Sequence, residues 1–193
     1  MKTGILGGTF DPIHLGHLVI AEWVRVGMDL DEIWLMPSHT PSYKWPPPAA
    51  SPAHRLEMVR RAVEGNRHFR VEDGEILRGG VTYTADTMER LIAAHPEREF
   101  YYIIGADMVA YLPHWHRIGD LLAMVRFIGV RRTGYDLETS VPEEARGRVL
   151  FVDAPLIDIS STVIRERLKS GKSVRYLIPA AVEEYIKENG LYG

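Results

Sequence analysis

The chain has 193 residues and a formal net charge of -3 at pH 7, with 46% hydrophobic and 25% charged residues. This is the composition of an ordinary globular protein that can bury a core, and its acidic balance excludes a general basic field for nucleic acid. The absence of cysteine excludes disulfides, thiolate zinc sites and cysteine nucleophiles. Its apolar runs are too short for a secretory signal or a bilayer span. We therefore expect a cytoplasmic protein with neither a membrane nor a nucleic-acid partner.

Short β-branched and aromatic runs alternate with amphipathic stretches, which is typical of strand–helix–strand units. The predicted strands are Thr3–Leu6, Glu32–Met36, Phe69–Glu72, Phe100–Ile104, Arg126–Val130 and Val149–Val152. The predicted helices are a stripe from Leu15 to Val26, then Ala53–Val63, Thr84–Ala94, Thr162–Lys169 and Pro179–Asn189. The pattern predicts an α/β fold with a doubly wound parallel sheet, in a single domain over residues 1–193 whose part from about residue 160 is helical. Such sheets bind ligands outside the carboxyl ends of their strands.

One segment, Pro37–Pro52, breaks this rhythm because it has no apolar period and holds six of the chain's 12 prolines. It follows a predicted strand and therefore belongs at the ligand-binding edge of the sheet. A loop of this length in a compact domain is usually functional or disordered. We interpret it as a Pro-rich lid, because it carries a lysine and two aromatic residues, with a plain linker as the alternative.

The segment GGTFDPIHLGHL, Gly7–Leu18, lies where the first predicted strand passes into the first predicted helix. Its two glycines have no Cβ, so a ligand can approach the backbone, and the amides of Thr9 and Phe10 can point at an anion. His14 and His17 are neighbours on the first helical turn, beside the positive end of the helix dipole. Two imidazole donors and free amides predict a phosphate site. The alternative is that one histidine caps or packs and the other is solvated.

A second segment with the same chemistry is ISSTVIRERL, Ile159–Leu168. Ser160, Ser161 and Thr162 stand at the predicted start of a helix, where hydroxyls and free amides suit phosphate. Arg165 follows one turn later and can offer a bidentate guanidinium to the same phosphates. The alternative is a simple helix N-cap.

The first segment resembles the signature of the HxGH nucleotidyltransferase superfamily. Three further segments are similar to those of one family in it, the bacterial nicotinate-nucleotide adenylyltransferases: IIGADMVAYLPHWHRIGDLL (103–122), ISSTVIRERL (159–168) and YLIPAAVEEYIKENGLY (176–192). The resemblance covers essentially the whole chain. It implies a Rossmann-like nucleotidyltransferase fold and direct transfer of the adenylyl group of ATP to nicotinate mononucleotide, giving deamido-NAD and pyrophosphate.

The resemblance implies where each substrate binds. For ATP the matching residues are Gly8, Thr9, Phe10, His14, His17, Gly105, Asp107, Ser160, Ser161, Thr162 and Arg165, with His14, His17 and Arg165 implied to be catalytic. For the mononucleotide, Thr84 matches the helix start that receives the nicotinate carboxylate, and Lys44 matches a lysine used on its phosphate. Trp115 matches the aromatic that stacks on the pyridine, a favourable cation–π pair, with an ordinary core tryptophan as the alternative. The family usually has histidine before that lysine, where this chain has Tyr43.

The implied reaction needs no general base, because the attacking phosphate monoester is already mostly dianionic near pH 7. The histidines are then expected to donate hydrogen bonds to phosphate oxygens. Mg²⁺ is expected to arrive with ATP and to neutralise its phosphates, and we predict no metal site made by protein ligands.

Other readings of the sequence stay open. The acceptor could instead be nicotinamide mononucleotide or another phosphate compound. From a different class, the chain could be a catalytically silent nucleotide-binding protein. A tRNA synthetase fragment or RNA-binding protein fits the acidic balance poorly. Assembly into a homo-oligomer is an open expectation.

Overall fold

The computed structural model describes residues 1–41, 47–131, 141–155 and 157–193. Its strands are β1 Lys2–Gly8, β2 Glu32–Pro37, β3 Thr40–Pro41, β4 Phe69–Val71, β5 Val81–Thr82, β6 Glu99–Gly105, β7 Arg126–Arg131 and β8 Val149–Asp153. Its helices are α1 Leu15–Gly27, α2 Pro52–Val63, α3 Gly74–Arg78, α4 Thr84–Ala94, α5 Ala106–Val109, α6 Ile118–Met124, α7 Ser161–Lys169 and α8 Ala180–Glu188. Within these ranges, none of the helices combines the length and the apolar character that crossing a membrane requires.

Six strands form one parallel sheet in the order β4-β2-β1-β6-β7-β8. They are the six strands that the sequence predicts, each within a residue or two of its expected ends. The sheet therefore confirms the doubly wound α/β prediction. The direction of strand order reverses between β1 and β6, so their carboxyl ends, at Gly8 and Gly105, flank the crevice where such sheets bind ligands.

Helices cover both faces of the sheet. Neighbouring residues of each strand point to opposite faces, so one strand contributes to two apolar clusters. On one face Leu6 and Ile103 belong to a buried apolar cluster with α1, α2, α7 and α8. On the other face Ile5 and Tyr102 belong to a cluster with α4, α5 and α6. Burial on both faces explains why the central strands read as continuous apolar runs.

The structure corrects the prediction that Pro37–Pro52 lacks regular elements. Pro37 ends β2, and β3 pairs with β5 in a separate two-stranded sheet. Pro52 is the first residue of α2, where a missing amide hydrogen costs nothing, and Ser51 caps that helix by accepting the backbone N–H of His54 at 3.3 Å. Two-residue strands leave no periodicity in a sequence, which is why they escaped prediction. Lys44 and Tyr43 lie outside the described residues.

Candidate functional site

A cavity of about 800 Å³ opens at the carboxyl edge of the sheet, beside the β1–β6 reversal. This volume is typical of sites for small ligands. It is lined by all eleven residues predicted for ATP, namely Gly8, Thr9, Phe10, His14, His17, Gly105, Asp107, Ser160, Ser161, Thr162 and Arg165. Segments that are far apart in the sequence thus meet at one place, as a shared ligand requires, while their individual contacts with ATP stay predictions.

The loop after β1 is fixed by hydrogen bonds from Arg55, a completely buried residue of α2. Its guanidinium donates from Nη1 to the carbonyl of Thr9 at 2.6 Å and from Nη2 to the carbonyl of His39 at 2.7 Å. Arg55 therefore joins the loop after β1 to the segment after β2. Arg55 was not among the predicted site residues, although a signal was present: it shares its helical stripe with the buried Met58 and Val59, a place where a charge needs partners.

Two residues of the α7 segment hold the same loop from the other side. Arg165 donates from Nη1 to the carbonyl of Asp11 at 2.7 Å, and the hydroxyl of Ser161 donates to the carbonyl of Pro12 at 2.9 Å. Together with the bond from Arg55, these contacts occupy the carbonyl oxygens of Thr9, Asp11 and Pro12. The negative ends of these carbonyls are therefore paired with donors of the protein.

The buried carboxylate of Asp11 fixes this loop, although no role was predicted for it from the sequence. It accepts the backbone N–H of Ala49 at 2.8 Å, that of Ala50 at 3.0 Å and the hydroxyl of Tyr192 at 2.7 Å. Burial and the nearby carboxylate raise the pKa of Tyr192 far above its usual range, so its hydroxyl stays protonated and donates. Asp11 thereby connects the loop to the base of the Pro-rich segment and to the far end of the described chain.

The two histidines form one stacked unit at the start of α1. Their ring centroids are 3.6 Å apart, and the backbone N–H of His14 donates to Nδ1 of His17 at 3.2 Å. Since Nδ1 is the acceptor, neutral His17 carries its proton on Nε2. Phe10 packs edge-on against His17 at 5.0 Å and adopts a left-handed backbone with φ of 50°. The imidazole proton predicted for phosphate binding thus has a defined position.

Burial keeps His14 neutral. The residue is 6% exposed, and desolvation lowers the pKa of its imidazole to about 4. In the described part of the chain, His14 Nδ1 and Thr9 Oγ1 are buried without a hydrogen-bond partner. Buried polar atoms are nearly always paired, and these two lie on the cavity wall, where a ligand can reach them.

The pKa of His14 makes a prediction about stability. Because the folded-state pKa lies below the unfolded value, stability is complete above about pH 6.5 and is lost as pH falls toward 4. We expect His14→Gln to abolish a pH-dependent loss of about 2–3 kcal/mol between pH 7 and pH 4. Urea unfolding of both proteins at these pH values measures it. Equal losses in the wild type and the variant would show that His14 does not titrate as described.

At the start of α7 the three hydroxyl residues have separate tasks. Ser160 is the N-cap and accepts the backbone N–H of Val163 at 3.2 Å, so the capping alternative describes this residue. Ser161 donates to the loop, as above, and Thr162 Oγ1 accepts Nη2 of Arg165 at 3.3 Å. The guanidinium predicted to be bidentate on phosphate is therefore shared with protein partners. The first-turn amides of α7 have no carbonyl partner inside the helix.

The end of β6 presents backbone to the cavity. Gly105 precedes α5, and a Cβ at this position would collide with the carboxylate of Asp107. Asp107 is exposed on the cavity wall. The close neighbour of Gly105 in the structure is thus the Asp107 side chain, and the approach of a ligand to the Gly105 backbone stays a prediction.

The residues predicted for the second substrate lie apart from this cavity in the described chain. Trp115 is half buried and packs edge-on against Tyr102 and Phe127, with centroids 5.8 and 5.9 Å away. Thr84 is the first residue of α4. A Cβ at Gly7 would meet the hydroxyl of Tyr102, so Trp115 is separated from the cavity wall by one aromatic residue.

Comparison with known proteins identifies the class that this fold and site define. The sequence model of the cytidylyltransferase-like family matches residues 5–167. Among solved structures, the chain is similar to Plasmodium falciparum nicotinic acid mononucleotide adenylyltransferase complexed with NaAD, with a TM-score of 0.81 over 99% of this chain and 97% of that chain. The two sequences are 21% identical, so this likeness shows the fold alone.

Relatives with higher identity narrow the class. A protein named probable nicotinate-nucleotide adenylyltransferase from Bacillus pumilus is 52% identical over 191 residues, which are 99% of this chain and 98% of the relative. The nicotinate-nucleotide adenylyltransferase of Bacillus subtilis is 46% identical over equal shares. The chain belongs to the cytidylyltransferase-like family and, within it, to the nicotinate-nucleotide adenylyltransferases. The family resemblance and the expectation of a nucleotidyltransferase enzyme are confirmed.

Proposed function

We propose that this chain transfers the adenylyl group of ATP to nicotinate mononucleotide in NAD biosynthesis, releasing pyrophosphate and forming deamido-NAD. The observation that carries the proposal is the single cavity at the β1–β6 reversal, lined by all eleven residues predicted for ATP. Identity of 52% over nearly the whole chain with a relative named for this reaction supports the choice of substrates.

In the proposed reaction, a phosphate oxygen of the mononucleotide attacks the α-phosphorus of ATP. One O–P bond forms to the acceptor, the bond to the β-phosphate bridge breaks, and pyrophosphate leaves with the displaced electron pair. The acceptor needs no base because its second pKa is about 6. His14, held neutral by burial, suits a hydrogen-bond donor better than a proton acceptor.

His14, His17 and Arg165 are the proposed catalytic residues. Neutral imidazole N–H groups and a guanidinium at a helix start stabilise phosphate charge as it shifts toward pyrophosphate. The proton on Nε2 of His17 follows from the bond at Nδ1, so its position is set before ATP binds. Catalysis then comes from positioning and electrostatics, with no covalent intermediate.

Mg²⁺ fits the site as an ion carried by the nucleotide. The described residues contain no group of three or more His, Asp or Glu placed to hold a metal. Three carboxylate residues line the cavity, Asp11, Asp107 and Asp158, and the carboxylate of Asp11 already accepts three protein donors. Mg²⁺ is usually bound by one or two carboxylates together with substrate phosphates. When bound there, it supplies neutralisation of the ATP phosphates.

For the second substrate we propose that the start of α4 at Thr84 receives the nicotinate carboxylate and that Trp115 stacks on the pyridinium. An amide-rich helix start suits a carboxylate, and an indole face suits a cationic ring. Lys44 is proposed for the phosphate of the mononucleotide. The cytoplasmic location expected from the sequence belongs to the same proposal, and a homo-oligomer stays a prediction.

The experiment that tests the function is pyrophosphate release from ATP and Mg²⁺ with nicotinate mononucleotide, run beside its amide. We expect strong release with the acid, because only the acid offers a carboxylate to α4. Equal release with both would keep the mechanism and broaden the substrate class. Release with neither, together with ATP binding, would instead support the catalytically silent nucleotide binder.

A further inference from the structure

An exposed arginine outside the cavity proposed for ATP forms ion pairs with three carboxylates. Arg117 donates from Nε to Asp120 at 2.7 Å and from Nη1 to Asp86 and Glu89 at 3.0 and 3.1 Å. Its backbone is left-handed, with φ of 53°. A left-handed conformation at a residue with a Cβ carries a cost that its surroundings must offset.

The contacts of Arg117 bridge two segments that are distant in the sequence. Two of the three carboxylates belong to α4, 31 and 28 residues away from Arg117. That helix begins at Thr84, whereas Arg117 comes two residues after Trp115. The bridge has one further contact, between the rings of Tyr83 and His116, whose centroids are 4.4 Å apart.

Little else fixes this segment on its outer side. Between Tyr111 and Arg117 only Leu112 is buried, and Trp115 is half buried, while the other residues are exposed. Trp115 is fixed on its inner edge by aromatic contacts. The contacts with α4 are therefore the restraint that the described residues place on the outer side of this segment.

We propose that Arg117 is a positioning residue for the pyridine mononucleotide. By pairing with α4, it sets the separation between the indole of Trp115 and the helix start at Thr84, the two groups assigned above to the pyridine ring and its carboxylate. The inference rests on the proposed function and extends it to a residue that does not touch substrate. The cavity proposed for ATP lies on the other side of Tyr102, so we expect the affinity for ATP not to depend on Arg117.

The first test compares steady-state kinetics of Arg117→Ala with the wild-type enzyme. Alanine keeps a Cβ in the left-handed conformation and removes only the ionic contacts. We expect the KM for nicotinate mononucleotide to rise about fivefold, a modest change because exposed ion pairs are individually weak, with kcat and the KM for ATP within twofold. Arg60→Ala is the matched control, since Arg60 forms another exposed pair, with Asp73 at 2.8 Å, and should leave both KM values unchanged.

A second set of variants separates positioning from simple attraction of an anionic substrate by the arginine. The double variant Asp86→Ala/Glu89→Ala breaks the bridge but removes two negative charges. Positioning predicts a higher KM for the mononucleotide, whereas attraction through the field predicts a lower one. Asp120→Ala removes a contact within the same segment and should leave the KM unchanged. Arg117→Lys, which keeps the charge without the planar fork, should fall between wild type and alanine.

Each outcome decides the proposal. An unchanged KM for the mononucleotide in Arg117→Ala, an equal rise for ATP, or a lower KM in the double carboxylate variant would overturn it. Wild-type enzyme that does not turn over nicotinate mononucleotide would instead refute the proposed function, and the role of Arg117 would be refuted with it. Active wild type with a selective rise in the mononucleotide KM in both bridge variants supports it.

Discussion

His17→Ala is expected to lower kcat by about 10²–10³-fold, the loss typical of one preorganised donor to developing charge. The imidazole proton on Nε2 is positioned before substrate arrives, because Nδ1 accepts the backbone N–H of His14 at 3.2 Å and the two rings stack. A donor placed for the transition state contributes little to ground-state binding. The KM for ATP should therefore change less than kcat.

The measurement is steady-state pyrophosphate release at saturating mononucleotide, with ATP varied. His68→Ala is the control, because its imidazole bonds to the carbonyl of Asp31 at 3.2 Å next to β4, outside the cavity lining. An unchanged kcat in His17→Ala would remove this residue from the catalytic group. A higher KM with normal kcat would make it a ground-state binder only.

Much of the fold follows from the pattern of apolar residues in the sequence. Runs such as FYYIIG and RFIGV are apolar on both faces, and the central strands β6 and β7 occupy them. The motif GGTFDPIHLGH predicts its own place at the end of β1, because parallel sheets present their loops at one edge. The short β3 and β5 pair through two residues each, and so small a unit has no period to detect.

The parts of the site that escaped prediction are those made by tertiary contacts. Arg55 reaches the loop after β1 across 46 residues of sequence, and only its position on an apolar stripe hints at a buried role. The hydroxyl of Tyr192 meets Asp11 across 181 residues, and nothing local in the sequence indicates that contact. The contacts of Trp115 with Tyr102 and Phe127 were likewise not predicted, because side-chain direction depends on packing, and its assignment to the pyridine stays a prediction.

The two motifs predicted for ATP are joined by side-chain hydrogen bonds to the backbone. Hydrogen bonds join the two motifs, because Ser161 and Arg165 donate to the backbone of residues 11–12. Their donors satisfy the carbonyls of Asp11 and Pro12. The loop proposed for phosphate is thus held by residues that lie about 150 positions later, which explains why either motif alone is weak evidence for the function.

Asp11→Asn is expected to reduce the free energy of unfolding by about 2–4 kcal/mol, although it preserves the shape of the side chain. Both carboxylate oxygens accept backbone N–H groups, from Ala49 at 2.8 Å and Ala50 at 3.0 Å. In either orientation the amide NH₂ of asparagine would face one of these donors, leaving a buried N–H unsatisfied. Because the same loop lines the cavity, kcat should fall as well.

Tyr192→Phe provides the graded comparison, since it removes one of the three donors to Asp11 without placing a second donor against it. It should cost about 1 kcal/mol. Urea unfolding of both single variants and the double variant gives a coupling energy, and a double variant less destabilised than the sum would show that the two residues act as one unit. An Asp11→Asn protein as stable as the wild type would mean that the loop is held instead by Arg55, Arg165 and Ser161, whose bonds to its carbonyls the substitution leaves intact.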